Sequence, residues 1–73
     1  MNDSALLVML GENIRARRRA NGLTQRELAE RAKLHRTYIA DLERGARNVS
    51  ILNVVRVARA LGISVPQLCE GMR

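Results

Sequence analysis

Arginine is the side chain that this sequence offers most freely for chemistry. Of its 13 Lys and Arg residues 12 are Arg, set against 7 Asp and Glu, and the 73-residue chain carries a formal charge of +6. A guanidinium presents a planar fork of N–H donors that matches phosphate oxygens or the O6 and N7 edge of guanine, and it stays charged throughout the physiological range. An Arg-weighted excess on so short a chain points to nucleic acid as the partner. Other chemistries lack their parts. His35 and Cys69 are the lone His and Cys, so neither a four-ligand zinc site nor an internal disulfide can be assembled. Cys69 has no accompanying base and reads as a small apolar residue or a half-exposed thiol. No nucleophile–base pair or paired-carboxylate site is visible, so no enzyme, metal or cofactor is expected. Tyr38 is the single aromatic residue, which removes the stacking platforms of single-strand and RNA binders. No apolar run approaches the ~18–20 residues of a membrane span. Asn2-Asp3-Ser4 lacks the basic leader of a secretory signal, and a reducing cytoplasm is the expected compartment.

Arginines act selectively only when rigid elements space them, and the pattern supplies helices alone. Gly22, Gly45 and Gly62 each follow a helix-periodic segment, where a left-handed residue ends a helix. No hairpin chemistry interrupts them. A first helix is predicted from Ser4, as N-cap, to Ala20. Leu6, Leu7, Leu10 and Ile14 share one face, and Gly11 lies inside it at a cost of ~1 kcal/mol against Ala. Arg15, Arg17, Arg18 and Arg19 crowd its last turns as a solvated basic face that complements the helix dipole, with direct DNA contact as the alternative. Thr24-Gln25-Arg26-Glu27 is a capping box that opens a second helix, with Leu23 placed to staple to Leu28. Leu28, Ala29 and Ala32 face inward, and the helix ends near Ala32.

Only Lys33 and Leu34 precede a third helix, His35 to Arg44, with Ile39 and Leu42 inward and Arg36, Thr37, Tyr38 and Asp41 on or near the open face. His35 reads as its N-cap or as an exposed side chain. A fourth helix runs from Ser50, its cap, to Leu61. A fifth spans about Val65 to Gly71, opened by the box Ser64-Val65-Pro66-Gln67 with Pro66 in the first turn.

Two short helices joined by a tight turn, with small Ala29 where they cross, make a helix-turn-helix over about residues 24–44. The N-terminal end of the second of these helices enters the major groove in that motif. Leu23-Thr24-Gln25-Arg26-Glu27-Leu28-Ala29, followed by Tyr38-Ile39-Ala40-Asp41-Leu42-Glu43-Arg44-Gly45, resembles the Cro and phage-repressor type of helix-turn-helix, from about Gly11 to Leu68. The resemblance implies a compact five-helix, lambda-repressor-like all-α domain and a dimeric transcription regulator. His35-Arg36-Thr37-Tyr38 with Arg47-Asn48-Val49-Ser50, in so small a chain, is similar to the controller proteins of restriction–modification systems. That likeness implies roles for single residues. Gln25 would touch a phosphate at a helix N-terminus, which favours anions, with Thr24 beside it. Arg36 and Thr37 would read base edges, Arg36 a guanine and Thr37 a thymine methyl or a phosphate. Asp41 would accept from a cytosine amino group, or instead pair with a neighbouring Arg. Tyr38 would lie over the DNA backbone, or be a half-buried ring. Arg44, Arg47 and Asn48 would meet phosphates or the minor groove. The family often has Gly in the turn; Lys33 stands here, at a cost of ~1 kcal/mol if left-handed.

The fourth helix is too apolar for a single interface. Val54, Val57, Ala58 and Leu61 make an inward stripe, while Ile51, Leu52 and Val55 widen it and Val65, Leu68 and Met72 follow in the fifth. Such a surplus marks a contact surface, here a dimerisation region over about residues 51–72; the alternative packs Leu52 and Val55 under the first helix. A two-fold dimer would set two recognition helices ~34–36 Å apart on an inverted repeat. The expectation is a single domain over residues 1–73 that binds double-stranded operator DNA as a homodimer. A tetramer on DNA and RNA polymerase are further partners, and no membrane is involved. The competing reading is an antitoxin-like or phage-repressor-like module that binds a protein partner as well as its own promoter.

Overall fold

Each helix begins where a side chain can satisfy its first free N–H groups. The computed structural model describes residues 2–72 and contains α1 (Asp3–Ala20), α2 (Gln25–Ala32), α3 (Arg36–Glu43), α4 (Ile51–Leu61) and α5 (Val65–Leu68), with no strand among the described residues. Thr24 and Ser64 form both halves of their capping boxes, with Glu27 and Gln67 reaching back to the cap N–H groups at 2.9 and 2.8 Å. Ser50 Oγ accepts from Asn53 N at 3.1 Å, and His35 Nδ1 caps α3 by accepting from Thr37 N at 3.1 Å.

Two ends differ from expectation. α1 starts earlier, because Asn2 Oδ1 accepts from Ala5 N at 2.8 Å and so takes the capping role predicted for Ser4. α5 is a single turn rather than a helix to Gly71. Asn13 on α1 donates its amide to the carbonyls of Leu68 and Glu70, both at 2.9 Å, and satisfies groups that a longer helix would have bonded internally.

The five most completely enclosed side chains are Ile14, Leu28, Ile39, Val57 and Leu68, one from each helix. Burial of such a side chain contributes about 1.5–3 kcal/mol. Leu68 therefore belongs to the core and not to the exposed interface where the sequence placed it. With one turn available, α5 aims Leu68, at its end, inward. Leu23 and Leu28, the predicted staple pair, are both buried.

Two glycines let α1 lie against the end of α3. A Cβ on Gly11 would sit 2.3 Å from the Leu42 carbonyl oxygen, and one on Gly45 would sit 2.8 Å from Val8 Cα. Gly45 also has φ +69°, the left-handed conformation that closes α3. The helix propensity lost at Gly11 is thus the condition of a close crossing.

Candidate nucleic-acid interface

The turn between α2 and α3 aims the second helix. Lys33 adopts φ 57°, ψ 43° there, the one left-handed non-glycine among the described residues. Leu34 N donates to Ala29 O at 2.9 Å and closes α2 behind it. The chain therefore keeps the left-handed turn with a residue that does not favour it.

From this turn α3 presents Arg36 and Thr37 at its start, both exposed, and Arg36 makes no ion pair among the described residues. The next turn is a connected cluster. Asp41 pairs with Arg44 through one carboxylate oxygen and with Arg47 through the other, the second at 3.1 Å. The Arg47 guanidinium lies 5.1 Å from the centre of the Tyr38 ring, within cation–π range. Tyr38 is half-buried, and its hydroxyl accepts from Asn53 Nδ2 at 3.1 Å. Each Asp41 oxygen thus faces one arginine, so the carboxylate orients two cations, the ion-pair alternative to a base contact. Thr24 and Asn48 are exposed. Gln25 is half-buried, and its amide donates to Glu43 Oε1 at 3.2 Å.

Glu43 is the group that the reading of the sequence missed. Its enclosed carboxylate accepts from Arg18 Nε at 2.6 Å and Nη2 at 3.0 Å, from Arg15 Nε at 3.3 Å and from Gln25. Arg18 also donates to Leu23 O at 2.9 Å. One acid therefore ties α1, the N-terminus of α2 and the C-terminus of the recognition helix into a fixed angle. Burial alone would push the Glu43 carboxyl up; the hydrogen bonds from Arg18, Gln25 and Arg15, with the Arg18 charge, outweigh it and hold it below the usual carboxylate range. The hydrogen bond to Glu43 in turn holds the Arg18 guanidinium above its usual value, against a smaller opposing effect of burial. A signal existed: Arg18 continues the Leu10–Ile14 stripe at i+4, and Glu43 continues from Ile39 at i+4, so both charges fall on inward positions. Arg18 is therefore not part of a solvated basic face.

The apolar surplus is open. Ile51 and Leu52 are 72% and 55% exposed, so Leu52 does not pack under α1. Val55, Val65 and Met72 are half-buried. Beside them runs a groove of about 340 Å³ lined by Leu6, Leu10, Ile51, Val54, Val65 and Met72 among others. No helix of the described residues is long and apolar enough to cross a membrane.

Comparison with known proteins places this geometry among regulators. The family model described as helix-turn-helix matches residues 14–68. Control protein C.SmaI of Serratia marcescens is 48% identical over 60 residues, which are 82% of this chain and 71% of that protein. The crystal structure of the restriction-modification controller protein C.AhdI from Aeromonas hydrophila superposes with a TM-score of 0.86 at 44% identity, covering 88% of this chain and 97% of that one. The C.Esp1396I controller, solved as a tetramer in complex with its natural 35 base-pair operator, is similar at a TM-score of 0.77 and 36% identity, over 81% of this chain and 78% of that one.

Proposed function

Because the chain belongs to the helix-turn-helix family, we propose that it is a sequence-specific regulator of transcription that binds double-stranded operator DNA as a homodimer, in the manner of a restriction–modification controller. The observation that carries this reading is the start of α3: Arg36 and Thr37 stand exposed, with Arg36 in no ion pair among the described residues, on a helix whose far end is locked to α1 and α2 through Glu43. Eight residues of helix are ~12 Å long, the width of the major groove. In this role Arg36 and Thr37 read base edges, and Asp41 acts on the DNA through the arginines it holds. Thr24, Gln25, Tyr38, Arg44, Arg47 and Asn48 face the phosphates. Gln25 reaches a phosphate through the N-terminus of α2 or by exchanging its bond to Glu43.

Ile51, Leu52, Val55, Val65 and Met72 form the surface for the second copy. The described residues extend 31 × 22 × 21 Å, so two copies side by side can present recognition helices one duplex turn of ~34–36 Å apart. The operator complex of C.Esp1396I supports a tetramer as the larger assembly on DNA. RNA polymerase is the partner through which occupancy would act. Selection of duplexes from a random pool at moderate salt is expected to enrich an inverted repeat. A pool left without any preferred duplex would overturn the reading, and genes for a nuclease and a methyltransferase beside this one would support the controller role.

A further inference from the structure

We infer that Asn53, on α4, is a positioning residue for DNA contact: through the Tyr38 hydroxyl it sets the place of the Arg47 guanidinium. The inference rests on the DNA-binding reading above and deepens it. Arg47 lies in the segment between α3 and α4, outside any helix, so its own backbone does little to fix a long side chain. Two walls hold it instead. One is the Asp41 carboxylate, at 3.1 Å. The other is the Tyr38 ring, 5.1 Å from the guanidinium carbon to the ring centre.

Asp41 is shared with Arg44, so the ring is the wall that belongs to Arg47 alone. The ring packs on the core along one side and is only partly buried, and its one polar atom is the hydroxyl that can fix its outer edge. That atom accepts the amide hydrogen of Asn53 at 3.1 Å. Asn53 is well fixed at its backbone, where its N–H donates to the cap Ser50 at 3.1 Å. It also sits next to Leu52, on the surface proposed for the second copy, so α4 carries both the dimer surface and the anchor of a phosphate-binding arginine. An Arg held over a ring loses less rotamer freedom on meeting a phosphate than one free in solvent.

The test uses the duplex that the wild-type chain itself selects from a random pool. Asn53→Ala is expected to weaken binding by about three- to tenfold, the range that one net hydrogen bond commands. The salt dependence should shift toward that of Arg47→Ala, whose slope of log K against log salt falls by ~0.9. In the Arg47→Ala background the Asn53→Ala change should have no further effect. Tyr38→Phe, which removes the hydroxyl's own phosphate contact as well as the Asn53 bond, should lose at least as much, and Asn53→Ala should add nothing to it. Thermal midpoint and sedimented mass should remain those of wild type. Wild-type affinity in Asn53→Ala, or a loss that persists undiminished without Arg47, would overturn the inference. So would a loss that merely tracks unfolding or dissociation in both Asn53→Ala and Tyr38→Phe. A wild-type chain that selects no duplex would overturn the DNA reading and this inference with it, an outcome distinguishable from the others.

Discussion

Arg36 and Arg47 carry the same charge but are built for different work. Arg36 projects from the first turn of a rigid helix with no intramolecular partner among the described residues, which suits a bond whose direction matters. Arg47 is held between a carboxylate and a ring outside the helices, which suits a phosphate at the groove edge. Arg36→Ala is therefore expected to cost about 1–3 kcal/mol on the selected duplex and much less on random duplexes, relaxing choice at one base pair. Arg47→Ala should weaken all duplexes nearly equally. Competition titrations against the two duplex classes distinguish these outcomes. Gly11 belongs to the same level of detail. Its Cβ would meet the Leu42 and Glu43 backbone below 3 Å, so Gly11→Ala should destabilise the chain despite the better helix propensity of Ala, and thermal melting measures it.

Among the elements, the turn before the recognition helix stores a correctable strain. Lys33 at φ 57° sits where a side chain is disfavoured by about 1–2 kcal/mol. Glycine removes that strain but adds freedom to the unfolded chain worth about 0.5–1 kcal/mol. Lys33→Gly should thus stabilise by up to about 1 kcal/mol, or about 4–8 °C in a domain of this size. A lowered melting midpoint would mean that the left-handed turn is not strained. Thr24, by contrast, is already the best choice for its place, and Thr24→Ala should cost about 1 kcal/mol of stability. The capping boxes were legible because all their partners lie within three residues of one another. The start of α1 was not, because Asn2 and Ser4 are both good caps and only the observed backbone selects between them.

For the whole molecule, one buried acid bears on folding, and one open apolar surface is the proposed site of assembly. The Glu43 carboxyl is held below its ordinary value near 4.5, so as pH falls the unfolded chain takes up a proton before the native one does. The contribution is fully present above the ordinary value and lost as pH falls through the lowered native value. Glu27, bonded to the Thr24 N–H and hydroxyl, is lowered too and adds in the same direction. Denaturant midpoints should accordingly be flat from neutral pH to about 5 and drop below it, with a shallower drop in Glu43→Gln. Glu43→Ala leaves Arg18 without its partner at a cost of about 3–5 kcal/mol. That is comparable to the whole stability of so small a core, and circular dichroism should show a largely unfolded chain. Leu52→Asp places a charge on the exposed apolar face and should give a monomer in sedimentation with wild-type helix content. An unchanged dimer mass would remove that face as the interface.

Local chemistry determined what the sequence could announce alone: five helices, the caps of α2, α4 and α5, the left-handed turn residues and the arginine-bearing start of α3. Each depends on partners three or four residues away, or on a spacing that any helix imposes. The tertiary structure alone decided which partners the inward charges meet and which apolar residues stay out. Arg18 meets Glu43 across 25 residues, Tyr38 meets Asn53 across 15, and Asn13 caps α5 across 55. Leu68 turns into the core while Leu52 is left on the surface. Helical periodicity marks a face but does not say what lies opposite it. That depends on how closely the helices cross, and the crossing is set by the bare backbone of Gly11 against the end of α3.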